Sequence, residues 1–144
     1  MKQSFTVPAV REAEAAALAA TPEGALMDRA AAGLAVTSAR WLQARCGRVS
    51  GSTVVVLAGS GNNGGDELFA AARLGARGAR VIVCSLSDNL HPLGAAAVLR
   101  SGGRIVDLAG LDPDAPGSVV AAELVAAADL VLDGIVGIGG RGPL

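Results

Sequence analysis

The stretch Ala58-Gly59-Ser60-Gly61-Asn62-Asn63-Gly64-Gly65-Asp66-Glu67 decides how the rest of the chain is read. It lies between an apolar run, Thr53 to Leu57, and an Ala-rich helical pattern, Leu68 to Leu74. Its four glycines admit positive φ and let backbone come close to a ligand. Two asparagines and an aspartate bring side-chain oxygens into the same turn. A linker needs no such chemistry, and a helix start needs a single polar cap. The stretch reads as a site at a strand-to-helix turn.

Outward from this turn, short apolar strands alternate with helical segments. Strands are expected at Thr53–Leu57, Arg80–Leu86, Arg104–Leu108 and Leu130–Asp133, and helices at about Asp66–Arg77, Pro92–Arg100 and Ser118–Ala127. Asp112 to Gly117 reads as a Pro/Gly loop. The strands are continuous apolar runs, the pattern of a parallel sheet covered on both faces. The fold class is therefore α/β, a Rossmann-like doubly wound parallel sheet. Two helices precede it. The first is capped by Thr6, with Pro8 in its first turn, and runs to about Ala20. The second runs from about Glu23 to Arg45, with Leu26, Ala30, Leu34, Thr37 and Trp41 at helical spacing. Residues 1–144 thus make one domain, helical over 1–50 and built of βαβ units over 53–144. The chain ends in the glycine-rich run Gly139-Gly140-Arg141-Gly142-Pro143-Leu144, which reads as a loop cut short. The sheet is expected to be incomplete at its C-terminus.

Composition narrows the function. The apolar fraction of 51% rests on Ala, Val and Leu, and the aromatics are only Phe5, Trp41 and Phe69, so stacking surfaces for bases are scarce. With a net charge of -1 and no basic cluster, the chain lacks the footprint of a nucleic-acid binder. No run approaches the ~18–20 apolar residues of a membrane helix, and the N-terminus has no signal-peptide core. Cys46 and Cys84 are far apart, without a CxxC partner, and read as free thiols of a cytoplasmic protein.

Gly59-x-Gly61-x-x-Gly64 satisfies GxGxxG between a strand and a helix. The dinucleotide fingerprint also wants an acid at the end of the second strand, and Asp88 lies a few residues late for it. An ordinary NAD-binding crossover is thus open but not favoured. Asn62 and Asn63 change the site's character. Amides at the helix start can hold an anion, while the Asn carbonyls and the Asp66 carboxylate offer oxygens to a small cation, a carboxamide or a hydroxyl. Taken singly, these residues also make turns, and Asp66 can cap the helix. The second loop is Asp133-Gly134-Ile135-Val136-Gly137-Ile138-Gly139. With strands in the order 3-2-1-4, Asp133 faces Asn62, Asn63 and Asp66 across a crevice suited to a cation. Its plainer role is to bond the local backbone. His91, beside Pro92, reads as a cap, Asp28-Arg29 as a solvated helix face, and Ser60 as a hydroxyl with no base in view.

These residues resemble a known family. Gly59 to Asp66 is similar to the GxGNNGGD signature of the NAD(P)H-hydrate epimerases, the YjeF N-terminal domain family. Leu26-Met27-Asp28-Arg29-Ala30 resembles its LMERAG segment, and Leu132 to Gly139 its VDALFGIG segment. The three occur in the family's order and span essentially the whole chain. The resemblance implies binding of hydrated NADH and NADPH (NADHX and NADPHX) and interconversion of their R and S epimers. A partner dehydratase specific for the S form, often fused downstream, then repairs both. It implies substrate contacts from Asn62, Asn63, Gly64, Gly65 and Asp66 and from Gly137, Ile138, Gly139, Gly140, Arg141, Gly142 and Pro143. It also implies a potassium ion (K+) on Asn63 and Asp133. Asp66 is one candidate for proton handling, and the aspartate of a DxPSG-type segment found in the family is an equal one.

Two departures stand out. Glu67 replaces the usual glycine and is expected to add charge beside the site. A DxPSG-type segment, which in the family supplies another aspartate and potassium ligand, does not occur before Leu144, and the chain alone is expected to be weak or inactive. The competing readings are a binding or scaffold domain of the same fold, with a homodimer as one form, and half of an NAD-dependent dehydrogenase.

Overall fold

Val54, Val55 and Val56 are three consecutive β-branched residues, and all are fully buried. Such residues favour a strand that is covered on both faces. The computed structural model, which describes residues 4–110 and 116–137, places them at the centre of a parallel sheet. The elements run α1 (Val7–Ala19), α2 (Ala25–Cys46), β1 (Thr53–Ala58), α3 (Asn62–Gly75), β2 (Arg80–Ser85), α4 (Pro92–Arg100), β3 (Arg104–Asp107), α5 (Pro116–Ala126) and β4 (Leu130–Gly134). The strand order is β3-β2-β1-β4, as the sequence predicts. β1 pairs with both neighbours in register, Val54 opposite Val81 on one side and Leu130 on the other.

Alternate residues of the strands feed two cores. On one face Val54, Val56, Val81 and Val83 meet Leu42 of α2, Leu68 and Leu74 of α3 and Val98 of α4. On the other, Val55, Ile82 and Cys84 meet Ala121, Leu124 and Val125 of α5. Each fully buried Leu or Val contributes about 1.5–3 kcal/mol of hydrophobic stabilisation. Both cysteines are free, Cys84 inside the second core and Cys46 at the end of α2.

Three boundaries or faces differ from the sequence expectation. α3 begins at Asn62, not Asp66, so Gly64 and Gly65 lie inside a helix despite glycine's poor propensity. α5 begins at Pro116 rather than Ser118, with proline tolerated in the first turn; of the expected 112–117 loop, 112–115 lie outside the described residues. The third difference concerns α2. Its buried face is Ala31, Ala35, Ser38, Ala39 and Leu42, while Trp41 is 43% exposed. Small side chains win this face because α2 lies tightly on α3, where Ala31 and Ala35 meet Ala70. Asp28 lies on the solvated face expected for it and there reaches Arg73 of α3 in an exposed ion pair. Such a pair adds little stability.

Replacing Ala70 with Leu should therefore cost about 1–3 kcal/mol by overpacking the α2–α3 contact. Trp41→Ala, which removes only an exposed ring lying under Arg45, should cost no more than about 1 kcal/mol. Urea unfolding of the two variants measures both.

Candidate functional site

The site is built where three stretches of backbone cross. β1 ends at Ala58, and the Gly59 N–H donates to the Gly134 carbonyl at 3.0 Å. A Cβ on Gly59 would stand 2.0 Å from the Ile135 carbonyl oxygen, and one on Gly64 would stand 2.3 Å from the Gly59 carbonyl oxygen. Neither position can carry a side chain. Gly61 then turns the chain with φ of 90°, a conformation glycine adopts freely. α3 starts immediately, with no side chain capping it. Its first-turn amides therefore keep their hydrogen-bonding capacity and the positive end of the helix dipole.

A cavity of about 1130 Å³ opens over this crossing. Its walls are the turn from Ser60 to Asn63 with Asp66, residues Ile135 to Gly137, and one side of α1 from Ala9 to Glu14. A second cavity, about 820 Å³, lies among α1, Met27 of α2, Phe69 of α3 and His91 at the N-terminus of α4. Asn62, Asp66 and Glu14 border both. The roof formed by α1, which buries none of its residues, was not foreseen from the sequence. The available signal was an Ala/Glu-rich first helix carrying Glu14.

The structure brings together Asn62, Asn63, Asp66 and Gly137 at the first cavity. Gly64 and Gly65 are buried beneath them, and a Cβ on Gly65 would stand 3.0 Å from Met27 Cε and 3.1 Å from the His91 ring, closer than ordinary van der Waals contact. Ile138, Gly139, Gly140, Arg141, Gly142 and Pro143 lie outside the described residues. Asp133 is exposed at the end of β4, and its Oδ1 accepts the Ile135 N–H at 3.1 Å, the local backbone bond that an aspartate at a strand end can make. Asn63 Nδ2 donates to the Val136 carbonyl over a long 3.4 Å, and its Oδ1 has no partner among the described residues. Among the described residues no group of three or more His, Cys, Asp or Glu is placed to hold a metal ion. His91 is the cap of α4, its Nδ1 accepting the Gly94 N–H at 3.2 Å, and its ring meets Phe69 edge-on.

Charge and burial tune the carboxyls. Asp66 holds its proton more tightly than usual, first because burial penalises the ionised form, then because Glu14 faces it; His91 partly opposes the shift. Glu67 corrects the expectation of a charge beside the site. It is turned inward, only 6% exposed, and its Oε2 has no hydrogen-bond partner among the described residues. Burial, then Asp133, then Asp66, push it up to about 7.

A cavity with glycines at its base, over the carboxyl ends of adjacent parallel strands, marks the chain as a Rossmann-like α/β domain. Residues 23–144 match the family described as YjeF-related protein N-terminus, and the chain belongs to that family. It is 45% identical, over 100% of its length, to the bifunctional NAD(P)H-hydrate repair enzyme Nnr of Mycobacterium tuberculosis (strain CDC 1551 / Oshkosh), of which it spans 28%. It is 42% identical over 94% of its length to the NAD(P)H-hydrate epimerase of Microbacterium testaceum, of which it spans 46%. The crystal structure of yeast ynu0 superposes with a TM-score of 0.75 at 20% identity, over 99% of this chain and 60% of that one, a likeness of fold.

The raised proton affinity of Glu67 sets a pH dependence. The folded state holds the proton where the unfolded chain, near 4.5, has lost it. Stability should thus fall as pH rises from about 4.5 to about 7 and level off above, by an amount on the order of 3 kcal/mol. Urea unfolding across that range should show Glu67→Gln with a flatter profile than the wild type.

Proposed function

We propose that the protein carrying this chain epimerises hydrated NADH and NADPH, the activity named for its relatives. The observation that carries this reading is the meeting of Asn62, Asn63 and Asp66 with the Ile135–Gly137 loop around one cavity. The uncapped first turn of α3 is suited to an anionic group of the dinucleotide. The Asn62 and Asn63 amides offer both donors and acceptors to a carboxamide or ring hydroxyl. Asp66, half-buried and protonated more readily than an ordinary aspartate, is the group to give and take the proton when the hydroxyl-bearing carbon is inverted. Glu14 faces it across both cavities and biases that proton towards Asp66.

Asn63 Oδ1 and the Asp133 carboxylate are hard oxygens at adjoining loop ends and fit a potassium ion as part of its ligand set. Such an ion would supply positive charge beside the bound phosphates or hydroxyl. Ile138 to Pro143 belong to the same proposal as the phosphate-side wall. The short span of the bifunctional relatives supports a dehydratase as the partner, in the same polypeptide or acting on the product. Among the described residues no helix is long and apolar enough to cross a membrane; a cytoplasmic setting, where these cofactors are used, completes the reading.

The test is to supply R-NADHX to the full-length protein with potassium and an S-specific dehydratase. Consumption of the R form should accelerate, and Asp66→Asn should lower kcat by about 100-fold or more with the thermal midpoint nearly unchanged. No acceleration over the dehydratase alone would overturn the reading. Asp133→Ala should weaken the potassium dependence, and an unaltered potassium response would remove Asp133 from the ion's ligands.

A further inference from the structure

Asn63 and Glu67 are four residues apart on α3, so their side chains leave the same face one turn apart. Both reach the chain leaving β4. Asn63 meets it from the outer side, with Nδ2 on the Val136 carbonyl and with Gly137 so near that a Cβ there would stand 3.2 Å from Asn63 Cβ. Glu67 meets it from within. A Cβ on Gly134 would stand 2.2 Å from Glu67 Oε2 and 2.6 Å from its Cδ, so the carboxyl occupies the space that glycine leaves open. The side chain on α3 and the missing side chain on β4 are complementary.

We propose that Glu67 is a positioning residue, the inner arm of a clamp by which α3 holds Gly134–Gly137 against the Gly59–Asn63 turn and so sets where Asn63 presents its free oxygen.

The cost of burial supports this. A buried carboxyl oxygen without a partner is unfavourable, and at an exposed position the same side chain would be solvated. Glu67 instead sits where its bulk is in contact with the end of β4, whose exit forms one wall of the cavity. The crossing it props is already tight, since the Gly134 carbonyl accepts the Gly59 N–H and Gly59 has no room towards Ile135. A small movement of the β4 exit is therefore passed to the turn that carries Asn62 and Asn63. The clamp is a matter of volume and contact rather than ionisation, so glutamine should serve in its place.

Hydrogen exchange tests this without any ligand, because the Gly59 N–H reports the crossing and the Val55 N–H reports the core. In Glu67→Ala, Gly59 should exchange about 10-fold or more faster relative to Val55, while Glu67→Gln should stay within about 3-fold of wild type. Gly134→Ala should show the same loosening, and Gly134→Ala combined with Glu67→Ala should be tighter than Gly134→Ala alone. An unchanged Gly59-to-Val55 ratio in Glu67→Ala, even with a lower thermal midpoint, overturns the proposal. So does Gly134→Ala damage that is the same with and without Glu67, and this comparison decides the matter if Glu67→Ala does not fold.

The consequence for ligand rests on the dinucleotide reading and uses NADP+ as the probe. The Kd should rise about 10-fold in Glu67→Ala and stay near wild type in Glu67→Gln. If NADP+ fails to bind the wild type, the dinucleotide reading is at fault, and the exchange ratios still decide the clamp. If NADP+ binds Glu67→Ala as tightly as wild type, the effect on the site is refuted.

Discussion

The contact on which the rest depends is backbone against backbone. The chain leaving β1 at Gly59 runs between the start of α3 at Gly64 and the exit of β4 at Ile135, at separations that leave no space for a Cβ at either glycine. This close crossing brings three segments distant in sequence to one point. It also explains why α3 tolerates Gly64, whose helical cost of about 1 kcal/mol is offset by an approach that alanine would forbid. The buried strands on either side, β1 and its partners, hold the crossing in place.

From this geometry the chemistry follows. An uncapped helix start, two amides and a carboxyl of raised proton affinity converge on a cavity whose far wall is the β4 exit. The roof is α1, an exposed helix that contributes Glu14 to both cavities. Glu67 lies under the floor rather than at the rim. It therefore acts on the site through volume and contact.

Much of this was legible in the sequence. The continuous apolar runs at Thr53, Arg80, Arg104 and Leu130 marked parallel strands, and the order β3-β2-β1-β4 placed the two glycine loops side by side. The clustering of Asn62, Asn63 and Asp66 marked the turn as a site, and His91 beside Pro92 marked a cap. The α2 face was misread because Leu and Trp outrank Ala on any hydrophobic count. The helix contact instead selected Ala31, Ala35 and Ala70 for their size.

Sequence alone determined the fold class and marked the strand-to-helix turn that borders the cavity, because strand burial and turn composition are local patterns with short periods. It also carried the family signature. Tertiary structure decided what no local pattern encodes. The start of α3 moved four residues towards the N-terminus because packing against Gly59 outweighs glycine's reluctance to be helical. The roof over the cavity was decided by the docking of α1. The burial of Glu67 was decided by a glycine on β4, 67 positions further along the chain, whose missing side chain gives the carboxyl its space.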